Sequence, residues 1–346
     1  MQVSCENCDK SYDLPDDRLP KGKMVSFPCP ACKAKITLDL RNDQDNEESS
    51  RLVFKPLDDA SEDSLDRDDL KKKIVKRVDD LPPMPKVMLK AREIMADPNS
   101  SFKEIAQVIE TDQAIAARVL KIANSAYYGL SGMVSSIHQA TVVLGYKTLE
   151  QVITMVSSSS MLGRQLKGYQ LNAGVLWKHS LAAALASRMI AQKRAPALES
   201  DAFSVGLIHD AGKLALDPHV AAKRKDLEQF VQSRSTTFVI AERQVLGFDH
   251  TEIAQELCKK WKLPEAHAAA MRYHHTPAES GNNQLAYIVH VANHIAALSG
   301  FGSGSNNGEG SLDATSLEPL KLKQEDVDQM VQEVCSAVEE ITNSLN

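Results

Sequence analysis

Across residues 67–299 apolar side chains recur at intervals of three and four, and no stretch alternates over the length of a strand. A chain patterned this way buries stripes along cylinders, so it must pack as helices. LPPMPKVMLKAREIMAD (81–97) has a proline-marked entry followed by a helix with Val87, Leu89, Ile94 and Met95 inward. SSFKEIAQVIETD (100–112) opens on a serine-led cap region, and TDQAIAARVLKIANSAYYG (111–129) predicts a helix ending at Gly129. SIHQATVVLGYKTLEQVITMVSSSSML (136–162) reads as two helices broken at Gly145. Many helices with short joints predict a bundle.

The first 40 residues follow a different logic. Four of the six cysteines fall there, as Cys5-x-x-Cys8 and Cys29-x-x-Cys32. Each pair can aim two thiolates at one ion from a single turn, and four thiolates make a closed structural zinc site. So short a segment builds little core, so the metal would supply its folding energy. Redox dithiols or free thiols are the alternative. The segment resembles the short zinc ribbons found at the front of many bacterial regulatory proteins. Cys258 and Cys335 stand singly on helical patterns and read as ordinary thiols.

Between these parts, residues 41–66 are acidic and polar, with little to bury. GFGSGSNNGEGS (300–311) is rich in glycine and serine and reads as a tether. Beyond it Val327, Met330, Val331, Val334, Val338 and Ile341 form one apolar helical face, for packing back or for dimerisation, with packing favoured. The expected organisation is a zinc ribbon (1–40), an acidic flexible linker (41–66), a helical domain (67–299), a flexible linker (300–320) and a C-terminal amphipathic helix (321–346).

The net charge of −6 and pI near 6.0 argue against nucleic acid as a partner. Lys21, Lys23, Lys33 and Lys35 give the ribbon some positive charge, but only Tyr12 and Phe27 stand near to stack bases. Protein partners or a small signalling ligand fit better. No apolar run reaches membrane-spanning length and no secretory leader is visible, so a cytoplasmic setting is expected.

LPPMPKV, TDQAIAARVLKIANSAYYG and SIHQATVVLG, in that order, resemble the front of the HDOD domain, a helical relative of the HD phosphohydrolases. The resemblance runs from about 75 to 298. It implies a mainly α fold, a helical bundle of HD-superfamily type behind the small β ribbon, and a signalling or regulatory role.

Nine of the ten histidines lie between 179 and 294. The resemblance implies a metal set of His179, the doublet His209-Asp210 in GLIHDAGKLAL (206–216), and a distant acid. Imidazole and carboxylate donors suit a divalent ion such as Fe or Mn. At the last position this chain has Asn293, a neutral oxygen donor. His250, His274 and His275 stand where two-metal HD-GYP phosphodiesterases keep further ligands, and Lys213 where those enzymes contact phosphate. Their substrate loop is absent, since HHTP is followed by AESGNNQ. His138, His219, His267 and His294 read as ordinary core or surface residues. The departures favour a non-catalytic regulatory module. A metal-dependent phosphohydrolase, with Lys213 and Arg272 as phosphate clamps, is the alternative.

Overall fold

The computed structural model describes four strands within residues 2–39, Ile74, and residues 86–345 except 98–99, 130–131, 304–311 and 313. The chain divides into two units, Met1–Ala60 and Ser61–Asn346.

The first unit holds two antiparallel hairpins. β1 (Gln2–Ser4) pairs with β2 (Ser11–Asp13), Val3 opposite Tyr12, and β3 (Met24–Pro28) pairs with β4 (Lys35–Asp39), Ser26 opposite Thr37. Cys5, Cys8, Cys29 and Cys32, the expected zinc ligands, lie outside the described residues, as does the 41–66 linker.

The second unit is helical, with thirteen α-helices among its described residues. α1 is Lys86–Ala96, where Val87 is buried and Ile94 and Met95 are half-buried. α2 is Phe102–Glu110, started by a capping box: the Ser101 hydroxyl accepts from the Glu104 amide, and Glu104 accepts from the Ser101 amide at 2.7 Å. α3 (Gln113–Ala123) stops short of the expected Gly129. Asn124 ends it, accepting from the Val134 amide and donating to the Leu120 and Val134 carbonyls, and a 3-10 turn carries Ala126–Tyr128 to Gly129 at φ 56°. α4 (Ile137–Leu162) is kinked at Gly145, whose φ of 71° and ψ of 170° no helix contains.

α5 (Val175–Arg194) is the central rod. It is buried nearly all round, from Leu176 to Ala191, and packs on α6 (Glu199–Ile208), α12 (Gln284–Leu298) and α13 (Gln324–Leu345). Its run of alanines permits that close neighbourhood. α7 (Gly212–Ala222), α8 (Arg224–Arg234), α9 (Phe238–Leu246), α10 (His250–Lys260) and α11 (Glu265–Tyr273) complete the bundle. In α13 Val327, Met330, Val334, Val338 and Ile341 are buried against the bundle, so this apolar face is spent within the chain. The expected 300–320 tether differs at its described ends: Ser303, Ser316 and Leu320 are all buried. Cys258 is buried, its thiol pushed up to about 11 by burial. Among the described residues no helix is long and apolar enough to cross a membrane.

Candidate metal centre

Two glycines decide where the doublet sits. His209 caps the C-terminal end of α6, and α7 begins at Gly212. A Cβ on Gly206 would lie 2.6 Å from the Ser187 Oγ and 2.8 Å from the Ala183 carbonyl, so α6 lies tight on α5, the helix that carries His179. A Cβ on Gly212 would lie 1.9 Å from the His250 carbonyl, so α7 lies tight on α10, which begins at His250. His209 and Asp210 stand between these two contacts. His274 ends α11, and His275 follows it.

The resulting cluster is organised by one carboxylate. Asp210 Oδ2 lies 3.5 Å from His179 Nε2 and 3.6 Å from His209 Nε2. Asp210 Oδ1 lies 3.4 Å from His250 Nε2 and 3.7 Å from His274 Nε2. His275 Nε2 is 3.3 Å from His250 Nε2. Two sets of donors, each with its atoms within 4.8 Å of one another, are therefore present: His179–His209–Asp210 and His250–His274–His275.

The outer ring nitrogens are anchored. His179 Nδ1 donates to the Phe301 carbonyl at 2.7 Å, His209 Nδ1 to Gly206 at 2.8 Å, and His274 Nδ1 to Met271 at 2.8 Å. His250 Nδ1 donates to Glu242 Oε2 at 2.7 Å. A carbonyl only accepts, so these bonds put the protons on Nδ1 and turn the Nε2 lone pairs inward, the usual preparation of imidazole for a metal. Burial holds His179 down to about 3, and His209, His274 and His275 below the ordinary imidazole value, so these rings are neutral donors. Burial also presses on His250, but the Glu242 carboxylate outweighs it and the net shift is upward. Burial would raise Asp210; the Lys213 ammonium and the surrounding rings instead hold it well below the carboxylate range.

The centre fits a divalent ion. Asp210 Oδ1 and His274 Nε2 are buried with no hydrogen-bond partner, both as acceptors, and a cation answers two such atoms at once. Which residues could hold it follows from the distances: His179, His209, His250, His274, His275 and Asp210.

Two other expected members sit differently. Lys213 is 1% exposed, its ammonium 2.9 Å from Asp210 Oδ2 and 3.1 Å from Ser303 Oγ. Asn293 is buried on α12 and makes no hydrogen bond to the cluster among the described residues. Arg272 serves α10, donating to Thr251 Oγ1 at 2.6 Å and facing Asp249 and Glu252. His267 pairs with Asp201 at 3.0 Å, away from the centre.

Sequence reasoning passed over Glu242, Ser303 and His290. Glu242 is fully buried and accepts from the Tyr169 hydroxyl, the His250 amide and His250 Nδ1. Ser303 Oγ donates to Asp210 Oδ2 at 2.9 Å, and His290 Nδ1 donates to the His274 carbonyl at 2.8 Å. The signal for His290 was its place on α12 one turn before Asn293. Glu242→Gln is expected to lower stability by roughly 1–3 kcal/mol, because an amide hydrogen then faces a buried imidazole N–H or phenol. Urea unfolding checks this, and an unmoved midpoint would contradict the network.

A family model for the HDOD domain matches residues 81–277. The fold is similar to that of an HDOD domain protein of unknown function from Geobacter sulfurreducens, at 25% identity and a TM-score of 0.64, over 80% of this chain and 97% of that one. It is also similar to a provisional phosphohydrolase from Shewanella amazonensis SB2B, at 23% identity and a TM-score of 0.61, over 79% and 98%. A provisional signal transduction protein from Marinobacter aquaeolei VT8 aligns at 24% identity and a TM-score of 0.61, over 82% of this chain and 65% of that one. An uncharacterised protein of Treponema pallidum (strain Nichols) is 24% identical over 203 residues, which are 58% of this chain. The chain spans 39% of the length of that relative.

Proposed function

The chain belongs to the HDOD domain family, and from that premise we propose that it is a regulatory module of signal transduction, binding a protein partner or a small signalling ligand around a buried metal centre. The observation that carries the reading is closure. His179, His209, Asp210, Lys213, His250 and His274 are each at most 1% exposed, and His275 is half-buried. Side chains so deeply buried offer a phosphoester little contact with their donor atoms. Lys213, which would have to meet a phosphate, is spent on Asp210 and Ser303. Asn293 brings no charge to the last position. A divalent ion such as Fe or Mn would be held by imidazoles and Asp210, and its bonds would lock α5, α6, α10 and α11 together.

The second reading is a metal-dependent phosphohydrolase. The inward-turned imidazoles and the two-sided Asp210 favour it, since such an ion supplies water activation. The two readings separate in one assay. The full chain, loaded with Mn(II) or Fe(II), is offered bis(4-nitrophenyl) phosphate and cyclic dinucleotides. Rates equal to those of free metal in buffer are expected. Turnover that disappears in His209→Ala would establish the hydrolase instead.

At the front of the chain, Cys5, Cys8, Cys29 and Cys32 are proposed to bind one zinc. The positions of the strands support this, for each CxxC falls in the connection of a hairpin, 5–8 between β1 and β2 and 29–32 between β3 and β4. Thiolate ligation suits a reducing, cytoplasmic setting. One zinc per chain is expected on purification, lost in Cys29→Ser/Cys32→Ser; zinc content unchanged by that pair would rule the site out.

A further inference from the structure

We infer that the centre takes a single divalent ion, in the half formed by His250, His274, His275 and Asp210 Oδ1, and that the Lys213 ammonium stands in for an ion in the other half. This rests on the reading of the cluster as a metal centre.

The two oxygens of Asp210 are not equivalent. Oδ2 already accepts from Lys213 Nζ at 2.9 Å and from Ser303 Oγ at 2.9 Å. Oδ1 accepts nothing and is buried. The halves differ in donors as well. On the Oδ1 side three imidazoles have their donor atoms within 4.8 Å of one another, and Asp210 Oδ1 lies 3.4 Å from His250 Nε2 and 3.7 Å from His274 Nε2. On the Oδ2 side there are two imidazoles with that carboxylate, its Oδ2 already engaged, and among the described residues Asn293 makes no hydrogen bond to them.

Proton placement separates the halves further. His179 Nε2 and His209 Nε2 lie 3.3 Å apart. Asp210 Oδ2, which lies 3.5 Å from His179 Nε2 and 3.6 Å from His209 Nε2, already has its donors in Lys213 and Ser303. His274 Nε2 and Asp210 Oδ1 both lack a donor, and the proton His275 can direct at His250 does not reach them. A cation placed between them would satisfy both at once.

Charge gives the same count. Among the described residues around the centre, Asp210 and Glu242 are the two acids free of arginine, since Asp249 is paired with Arg243 and faces Arg272. Two divalent ions beside the Lys213 ammonium would leave a large uncompensated positive charge in a buried site, which low dielectric forbids. One ion and the ammonium come close to balance.

The test uses the full chain, stripped of metal and then equilibrated with Mn(II), a hard ion that four thiolates do not favour. Bound manganese is counted by elemental analysis, and its nitrogen ligands by electron spin-echo modulation. One manganese with three imidazole nitrogens is expected. Two exchange-coupled ions, or one ion with only two imidazoles, would overturn the inference while leaving the metal reading intact. Complete failure to bind manganese would remove the metal reading itself. His274→Gln is expected to weaken binding by more than about tenfold and His179→Gln far less; the reverse order would overturn the assignment. Lys213→Met is expected to raise the count to two, and a count still at one would remove the lysine from its assigned part. Far-ultraviolet circular dichroism of each variant reports that it has folded, and the nitrogen count on the native chain decides the matter without any variant.

Discussion

Asp210→Ala is expected to destabilise the helical unit by about 3–5 kcal/mol, the range for stripping one partner from a buried ion pair. The side chain is 1% exposed and serves both halves of the centre. Its removal takes from the Lys213 ammonium and the Ser303 hydroxyl the carboxylate oxygen they share. It also deprives the imidazoles of their shared carboxylate, so any stabilisation from bound metal goes with it. The double variant Asp210→Ala/Lys213→Met separates these two losses. It is expected to recover most of the metal-free stability, because a buried pair replaced by apolar groups is close to neutral, while its metal binding stays weak. Urea unfolding with and without chelator checks both. A single variant as stable as the parent would mean that Lys213 finds another anion.

Gly212→Ala is the second large effect, expected to cost about 3–5 kcal/mol although it adds one methyl group. The new Cβ would stand 1.9 Å from the His250 carbonyl and 2.8 Å from the Ala254 amide nitrogen, both backbone atoms of α10 that cannot rotate aside. Relief requires α7 and α10 to separate, which would pull Asp210 away from His250. Metal affinity should therefore fall along with stability. Gly132→Ala is the control: nothing lies within 4 Å of its added Cβ, so a change within about 0.5 kcal/mol is expected. Thermal unfolding of the two variants side by side tests the close approach, and equal midpoints would contradict it.

Much of the helical architecture was legible because one physical rule generates it. The three- and four-residue spacing placed α1 to α4 and α13, the serine-led cap appeared at Ser101, and the break appeared at Gly145, where only glycine takes that backbone conformation readily. The end of α3 was misread at Gly129 because Asn124, a polar residue that looks ordinary in a helix, closes it through three hydrogen bonds to partners up to ten residues away. The same limit governs the centre. His179, His209, Asp210, His250, His274 and His275 carry a visible pattern, and the fold brings them together. Glu242 stands beside Arg243 and Gln244 in the helix FVIAERQVL, where an acid reads as part of a solvated face, and its burial comes with a contact to Tyr169 some seventy residues earlier. Ser303 belongs to a glycine- and serine-rich stretch that composition assigns to a tether. Its fixed place comes from Gly300, at φ 86°, which turns the chain after α12 so that Phe301 and Ser303 reach back to His179 and Lys213. Local pattern carries neither fact, since both depend on long-range packing.

An ion held in this centre would be closed off from solvent by the burial of its donors. Water-proton relaxation by the Mn(II)-loaded full chain measures that closure directly, because a bound paramagnetic ion speeds relaxation only when exchanging water reaches it. Relaxation close to that of the metal-free chain is expected, although manganese is bound. A strong enhancement that disappears on adding a phosphate monoester would show an open coordination position facing substrate, and would contradict the closed regulatory module.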